Sequence, residues 1–229
     1  MLKVKDLTYQ YTKTERRLFE KANLEFDAGQ LYAIVGRSGA GKTTFLSLLA
    51  GLDVPTAGTI EYQDKSVAKI GLSEYRRRYV SMVFQAYNLF DYMTATENIL
   101  TALDLTGSKH RGDRKYVLQL LAKIGLDQNL ADKKIGLLSG GQQQRVAIAR
   151  TMCCDAQLVL ADEPTGNLDE DNTTEVVNLF KKLAHEENRC VIIVTHEAEV
   201  AHSCDVQIEL RKGKFNVQQN LCKSGEKVH

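Results

Sequence analysis

Nine residues, GRSGAGKTT from Gly36 to Thr44, constrain this chain more than any other stretch. They follow an apolar run, LYAIV (Leu31 to Val35), and open a helical pattern from Lys42 to Ala50. A glycine-rich turn in that context aims several backbone N–H groups at one spot, and the first N–H groups of a helix lack partners within it. The helix dipole adds partial positive charge at the same place. Gly36, Gly39 and Gly41 let the backbone wrap phosphate oxygens, with Arg37, Ser38 and Ala40 completing the loop. Lys42 reaches the β- and γ-oxygens, the Thr43 hydroxyl suits Mg²⁺, and Thr44 falls beside the α-phosphate. Such a loop needs a buried strand before it and a helix after it.

Three further apolar runs repeat the theme: VSMVF (Val80 to Phe84), LVLA (Leu158 to Ala161) and VIIVT (Val191 to Thr195). None alternates with polar residues, as expected of parallel strands covered on both faces. Helical patterns at Gln142 to Met152 and Glu170 to Glu187 complete an α/β alternation. Two regions interrupt it. The first sixty residues carry alternating segments, LKVKDLTY and TIEY, that predict an N-terminal antiparallel β flap. Residues 86–138 hold helical patterns such as ATENILTALDL and no strand, which predicts a helical insertion. The expected organisation is one domain over 1–229: a parallel-sheet α/β core with the flap in 1–85 and 139–229, and a helical subdomain in 86–138.

Chemistry concentrates at the ends of the apolar runs. LVLADEP places Asp162 and Glu163 at a strand end, where one carboxylate can orient magnesium water and the other can polarise an attacking water. VIIVTHE ends on His196, and VSMVF is followed by Gln85, whose amide could reach the metal or the water. Open α/β sheets bind ligands at this edge. No NKxD tetrad for reading guanine occurs. A second glycine-opened helix start, LLSGGQQQR, offers Ser139, Gly140, Gly141 and Gln142 to an anion but has no lysine.

In this order, the phosphate loop, LSGGQQQR, LVLADEP, GNLD and TH resemble the ATP-binding-cassette (ABC) family of transporter ATPases over nearly the whole chain. The LSGGQ element is particular to that family. The resemblance implies an ATP- and Mg²⁺-dependent P-loop ATPase in which Glu163 is the catalytic carboxylate, Gln85 the Q-loop glutamine and Asp169 part of the D-loop. It implies metal contacts from Thr43, Gln85 and Asp162, and γ-phosphate sensing by His196. Aligning VKDLTYQY with the family's first strand makes Tyr11 the aromatic that stacks on adenine, with Tyr9 as the alternative. It also explains the second cradle. Ser139 to Gln142 serve the nucleotide held by Lys42 of a second copy, so ATP glues a head-to-tail homodimer. Within the family, VFQAYNLF, ADEPTGNLD and VIIVTHE resemble the macrolide-exporter, lipoprotein-release and bacitracin-exporter branch. That branch carries proline where this chain has Ile135.

Composition narrows the setting. A net charge of +1 gives no electrostatic footprint for nucleic acid, and no nucleic-acid partner is expected. Five cysteines without CxxC spacing predict free thiols in a reducing compartment. No leader-like apolar stretch opens the chain, and the longest apolar runs fall short of the ~18–20 residues that span a bilayer. The expectation is a cytoplasmic subunit, peripheral on the inner face of the membrane, working on an integral-membrane permease. Its expected cargo is an antimicrobial peptide, a drug or a lipoprotein. Two rivals share the chemistry: a signalling or scaffolding ATPase of the cell-division type, and a DNA-repair ATPase. The latter needs a long coiled coil between the two cradles, and no sustained heptads occur there. The polar end, QNLCKSGEKVH, is expected to fray.

Overall fold

The four apolar runs lie together in one sheet. In the computed structural model, which describes residues 1–11 and 17–219, they form β3 (Leu31–Val35), β6 (Val80–Val83), β7 (Leu158–Asp162) and β8 (Cys190–Val194). The strand order is β10-β9-β3-β8-β7-β6, where β9 is Val206–Arg211 and β10 is Lys214–Gln219. All neighbours run parallel except the β9–β10 hairpin. Runs without alternation are explained by what covers them. Val191 and Ile193 enter one core, while Ile192 and Val194 enter another on the opposite face.

The flap is a separate antiparallel sheet, ordered β2-β1-β4-β5, from β1 (Leu2–Gln10), β2 (Arg17–Phe26), β4 (Ala57–Tyr62) and β5 (Lys65–Ser66). It shares its core with α1 (Lys42–Leu49), through Phe45, Leu46, Leu48 and Leu49. The other core gathers α4 (Ala95–Thr106), α5 (Arg114–Lys123), α7 (Gly140–Cys153), α8 (Glu170–His185) and α9 (Ala198–His202). The helix after the phosphate loop and the helix after LSGG therefore lean on opposite faces of the central sheet.

Between β6 and α7 the described chain is helical: α4, α5, the short α6 (Gln128–Ala131) and a 3₁₀ turn at Ile135–Leu137, with one isolated bridge between Thr94 and Lys134. Thr94 and Glu97 form a capping box at the start of α4, and Gly107 ends it at φ 68°. Ile135 is fully buried, and its N–H donates to Met93 O at 2.9 Å. A proline there would lose that bond. α7 has no glycine stop. The buried Arg189 takes over, donating to the carbonyls of Thr151, Met152, Cys154 and Ala156 while pairing with Glu187 at 2.7 Å. A cation at a helix C-terminus also meets the dipole favourably.

Two features go beyond the sequence-based expectation. Short helices α2 (Val67–Ile70) and α3 (Leu72–Arg78) precede β6, too brief to leave a periodicity. The β9–β10 hairpin extends the sheet on the loop side, and the polar run begins only as β10 ends at Gln219. The frayed end expected after it lies outside the described residues, as does Cys222. The four described cysteines are buried thiols, and no disulfide occurs among the described residues. Among the described residues no helix is long and apolar enough to cross a membrane.

Candidate functional site

The loop after β3 is shaped by what surrounds its glycines. A Cβ on Gly36 would sit 2.5 Å from Leu210 O, and one on Gly41, at φ 103°, would meet Leu18 at 2.7 Å. Only glycine fits that left-handed geometry without strain. Lys42 is buried, yet its ammonium curls into the loop and donates to Gly36 O at 2.9 Å and Arg37 O at 3.4 Å. Arg37, Ser38 and Gly39 are exposed, and Ala40 is half-buried. The loop is thus open to solvent, with one positive charge held inside its curve.

The strand-end carboxylates close the far side. Asp162, the last residue of β7, accepts from the Thr43 hydroxyl at 3.1 Å. Burial pushes its carboxyl above the ordinary range, against the Thr43 hydrogen bond, which pulls it down. Glu163 has φ 47°, an uncommon conformation for a residue with a side chain. Its N–H bonds Val194 O at 2.9 Å, which ties it to the next strand. From there its Oε2 lies 2.7 Å from His196 Nδ1 and accepts from the His196 N–H at 3.3 Å. Backbone strain of this kind concentrates at functional sites. Gln85 stands just beyond β6, with its amide beside Gly166; a Cβ there would meet Nε2 at 3.5 Å. Parallel neighbours thus deliver Gln85, Asp162, Glu163 and His196 to one sheet edge, next to the loop.

The two tyrosines separate cleanly. Tyr9 is 7% exposed, buried in the flap core, and its hydroxyl donates to Asp53 at 2.5 Å. That bond and burial push its phenol up to about 12. Tyr11 is 45% exposed, with its hydroxyl 2.5 Å from Thr44 Oγ1. Tyr11 presents a ring to solvent at the loop; Tyr9 supports it edge-on, their centroids 5.3 Å apart.

The second cradle differs from the expectation of free N–H groups. Ser139 Oγ accepts from the Gln142 N–H at 3.3 Å and Gln142 Oε1 accepts from the Ser139 N–H at 3.0 Å, a capping box that occupies both donors. Ser139 and Gly140 are exposed, whereas Gly141 abuts Asn172: a Cβ on it would lie 2.3 Å from Oδ1. Asn172 in turn donates to Asp169, the N-cap of α8. Through Gly141 this helix start packs on Asn172 and, through it, on Asp169.

One residue escaped the sequence patterns. Gln144 is fully buried, and its Nε2 donates at 2.6 Å to the carbonyl of Pro164, directly after Glu163. Within a run of three glutamines nothing marks the third as the inward one except its place five positions past the Ser139 cap.

Comparison with known proteins places the chain by family. A family model described as "ABC transporter" matches residues 19–166. An uncharacterized ABC transporter ATP-binding protein of Bacillus subtilis, YclH, is 51% identical over 96% of this chain and 98% of its own. The macrolide export ATP-binding/permease protein MacB of Hyphomonas neptunium is 39% identical over 94% of this chain, which spans only 34% of that protein. Among solved structures, the dimeric post-hydrolysis state of the cassette MJ0796 bound to ADP and Pi superposes with a TM-score of 0.85 at 33% identity, covering 96% of this chain and 99% of that one.

Proposed function

We propose, from the premise that this chain belongs to the ABC transporter family of ATPases, that it is the nucleotide-binding subunit of a bacterial exporter. The observation that carries the reading is the Glu163–His196 contact at 2.7 Å, set at the sheet edge beside the Lys42 loop. In this reading Lys42 leaves the carbonyls of Gly36 and Arg37 for the β- and γ-phosphates. The backbone from Gly36 to Gly41 encloses the phosphate chain, and Thr44 meets the α-phosphate. Glu163 takes the proton of the attacking water. His196 holds that carboxylate in place and faces the γ-phosphate; Gln85 orients the water.

The residues at hand fit Mg²⁺. Magnesium prefers one or two hard oxygen ligands with phosphates and waters filling the rest, and Thr43 Oγ1 and Asp162 Oδ1 stand 3.1 Å apart. Gln85 would supply a third oxygen. A bound Mg²⁺ would neutralise charge developing on the phosphate oxygens.

The second cradle serves the ATP of a partner copy. Helices α1 and α7 lean on opposite faces of one sheet, so the phosphate loop and the Ser139 end belong to different cores of the chain, which suits two separate cradles. The dimeric MJ0796 cassette supports it too. The capping box then opens as ATP arrives, exchanging Gln142 Oε1 for a phosphate oxygen at the Ser139 N–H. We assign residues 86–138 to a helical subdomain that carries this end, within one domain over 1–229.

The membrane partner is a permease; MacB, an ATP-binding/permease protein of which the matching part fills a third, supports a permease as what this ATPase drives. Exposed Phe90 and Tyr92 offer it an apolar foothold beyond Gln85. The subunit then sits on the inner face of the membrane, and the cargo is a drug, antimicrobial peptide or lipoprotein. Tagged chain purified from detergent-solubilised membranes of its native cells is expected to bring down one multi-spanning protein that alters its ATPase rate. Recovery of an active ATPase with no membrane protein would count against the subunit reading.

Adenine stacking on Tyr11 gives a second expected result. Stacking on an aromatic is worth about 1–3 kcal/mol per base. Tyr11→Ala weakens ATP binding by that much in a titration with fluorescent nucleotide, and Tyr11→Phe restores most of it. Tyr9→Ala, shown folded by circular dichroism, leaves affinity unchanged, since Tyr9 is buried behind it. A loss with Tyr9→Ala and none with Tyr11→Ala would reverse the assignment.

A further inference from the structure

The segment that carries Gln85 is gripped from α7. Tyr87 and Asn88 have φ of 59° and 50°, which turns the chain through the left-handed region twice in succession. Both of their carbonyls accept from one guanidinium: Arg150 Nη1 donates to Asn88 O at 2.5 Å and Nη2 to Tyr87 O at 3.0 Å. Arginine presents two N–H groups in a fixed fork, a geometry lysine lacks. The turn bearing Arg150 is itself secured, because its carbonyl accepts from the thiols of Cys153 and Cys154. At the other end of the same helix the Tyr87 hydroxyl packs on Gly140, close enough that a Cβ there would meet it at 3.3 Å. One 14-residue helix therefore touches this segment near both of its ends.

We propose that Arg150 is a positioning residue for ATP hydrolysis: it fixes the unusual backbone after Gln85 and makes that backbone move with α7. The inference rests on the reading of Gln85 as part of the hydrolysis site. Since the Ser139 end of α7 serves the partner's nucleotide in that reading, closing one site shifts Gln85 in the other. The coupling runs through a single helix, about 21 Å long at 1.5 Å per residue. Neither of the two carbonyls is deeply buried, as Tyr87 is half-buried and Asn88 exposed, so a variant without the fork can solvate them and still fold.

The test is a double-mutant cycle between Arg150→Met and Gln85→Ala, with Arg150→Lys as the conservative control. A reacting group displaced by about an ångström costs on the order of 10²-fold, so Arg150→Met is expected to lower kcat by roughly 10–100-fold. KM for ATP stays within about twofold, because no nucleotide contact is removed. Amides 86–90 exchange with solvent faster, and Arg150→Lys recovers part of the rate. In the Gln85→Ala background Arg150→Met costs little more, since both act through one group. Wild-type kcat in Arg150→Met, or a full additional loss in the double variant, overturns the proposal. If Gln85→Ala alone turns over normally, the reading of Gln85 is what fails; if Gln85→Ala is slow and Arg150→Met is not, the grip fails. Should the Met variant not fold, the Lys variant carries the same cycle.

Discussion

Glu163→Gln is expected to bind ATP as tightly as the wild-type chain and to hydrolyse it roughly 10²- to 10⁴-fold more slowly, the span of one lost general base. The substitution keeps the shape of the side chain and removes only its charge and basicity. The fold has little reason to respond. The positive φ of 47° is a backbone cost already borne with glutamate, and the N–H bond to Val194 O is unchanged. His196 can still donate to the amide oxygen across the 2.7 Å contact. What disappears is the proton acceptor for the attacking water. With the exit step blocked and binding intact, the ATP-loaded form accumulates, so size-exclusion in ATP is expected to show a stable dimer where the wild type shows one only transiently. A variant with normal turnover would remove Glu163 from its role. A variant that neither hydrolyses nor dimerises would point to a binding role, because general-base loss leaves affinity alone.

What could be read from the sequence was local. The Lys42 loop, the Asp162–Glu163 pair and His196 each sit where a buried run ends, so strand and site announce each other within ten residues. Positions that depend on partners far along the chain were not legible. Tyr9 and Tyr11 share a face if β1 alternates evenly, yet the β1–β2 register shifts on both sides of Tyr9, and β1 ends at Gln10. That irregularity buries one ring and frees the other. Arg150 reaches across 62 and 63 residues to its two carbonyls, a pairing no periodicity encodes. The capping box at Ser139 could have been anticipated, since Ser-x-x-Gln ahead of an apolar helix is its usual spelling. Its glycines also spell an anion site, yet side chains already satisfy two of the donors. The β9–β10 hairpin was obscured for a simpler reason: most of the side chains of β10 are exposed, and its polar sequence runs straight into a polar end.

The largest qualitative effect is expected when two inactive chains are mixed. Lys42→Ala takes away the charge inside the phosphate loop; Ser139→Arg replaces the N-cap of α7 with a bulky cation where the partner's γ-phosphate would sit. Alone, each variant damages both sites of a homodimer, one from the loop side and the other from the LSGG side. Paired, they segregate the damage. The intact loop of the Ser139→Arg chain faces the intact Ser139 of the Lys42→Ala chain, and the opposite site carries both lesions. One whole site returns if sites are shared between chains, and none returns if each chain uses its own Ser139. Given the likeness to a dimeric cassette bound to ADP and Pi, sharing is the expected outcome. ATP-dependent dimerisation is the suitable readout, since turnover can require both sites. Loss of an N-cap costs helix stability by about 1 kcal/mol, so circular dichroism must show both variants folded at the working temperature. Differently tagged chains at matched concentration are then expected to co-purify in ATP well above either variant with itself. If mixed chains pair no better than the separate variants while wild-type chains dimerise normally, ATP is not held between the two copies, and the lysine-free cradle at Ser139 needs another ligand.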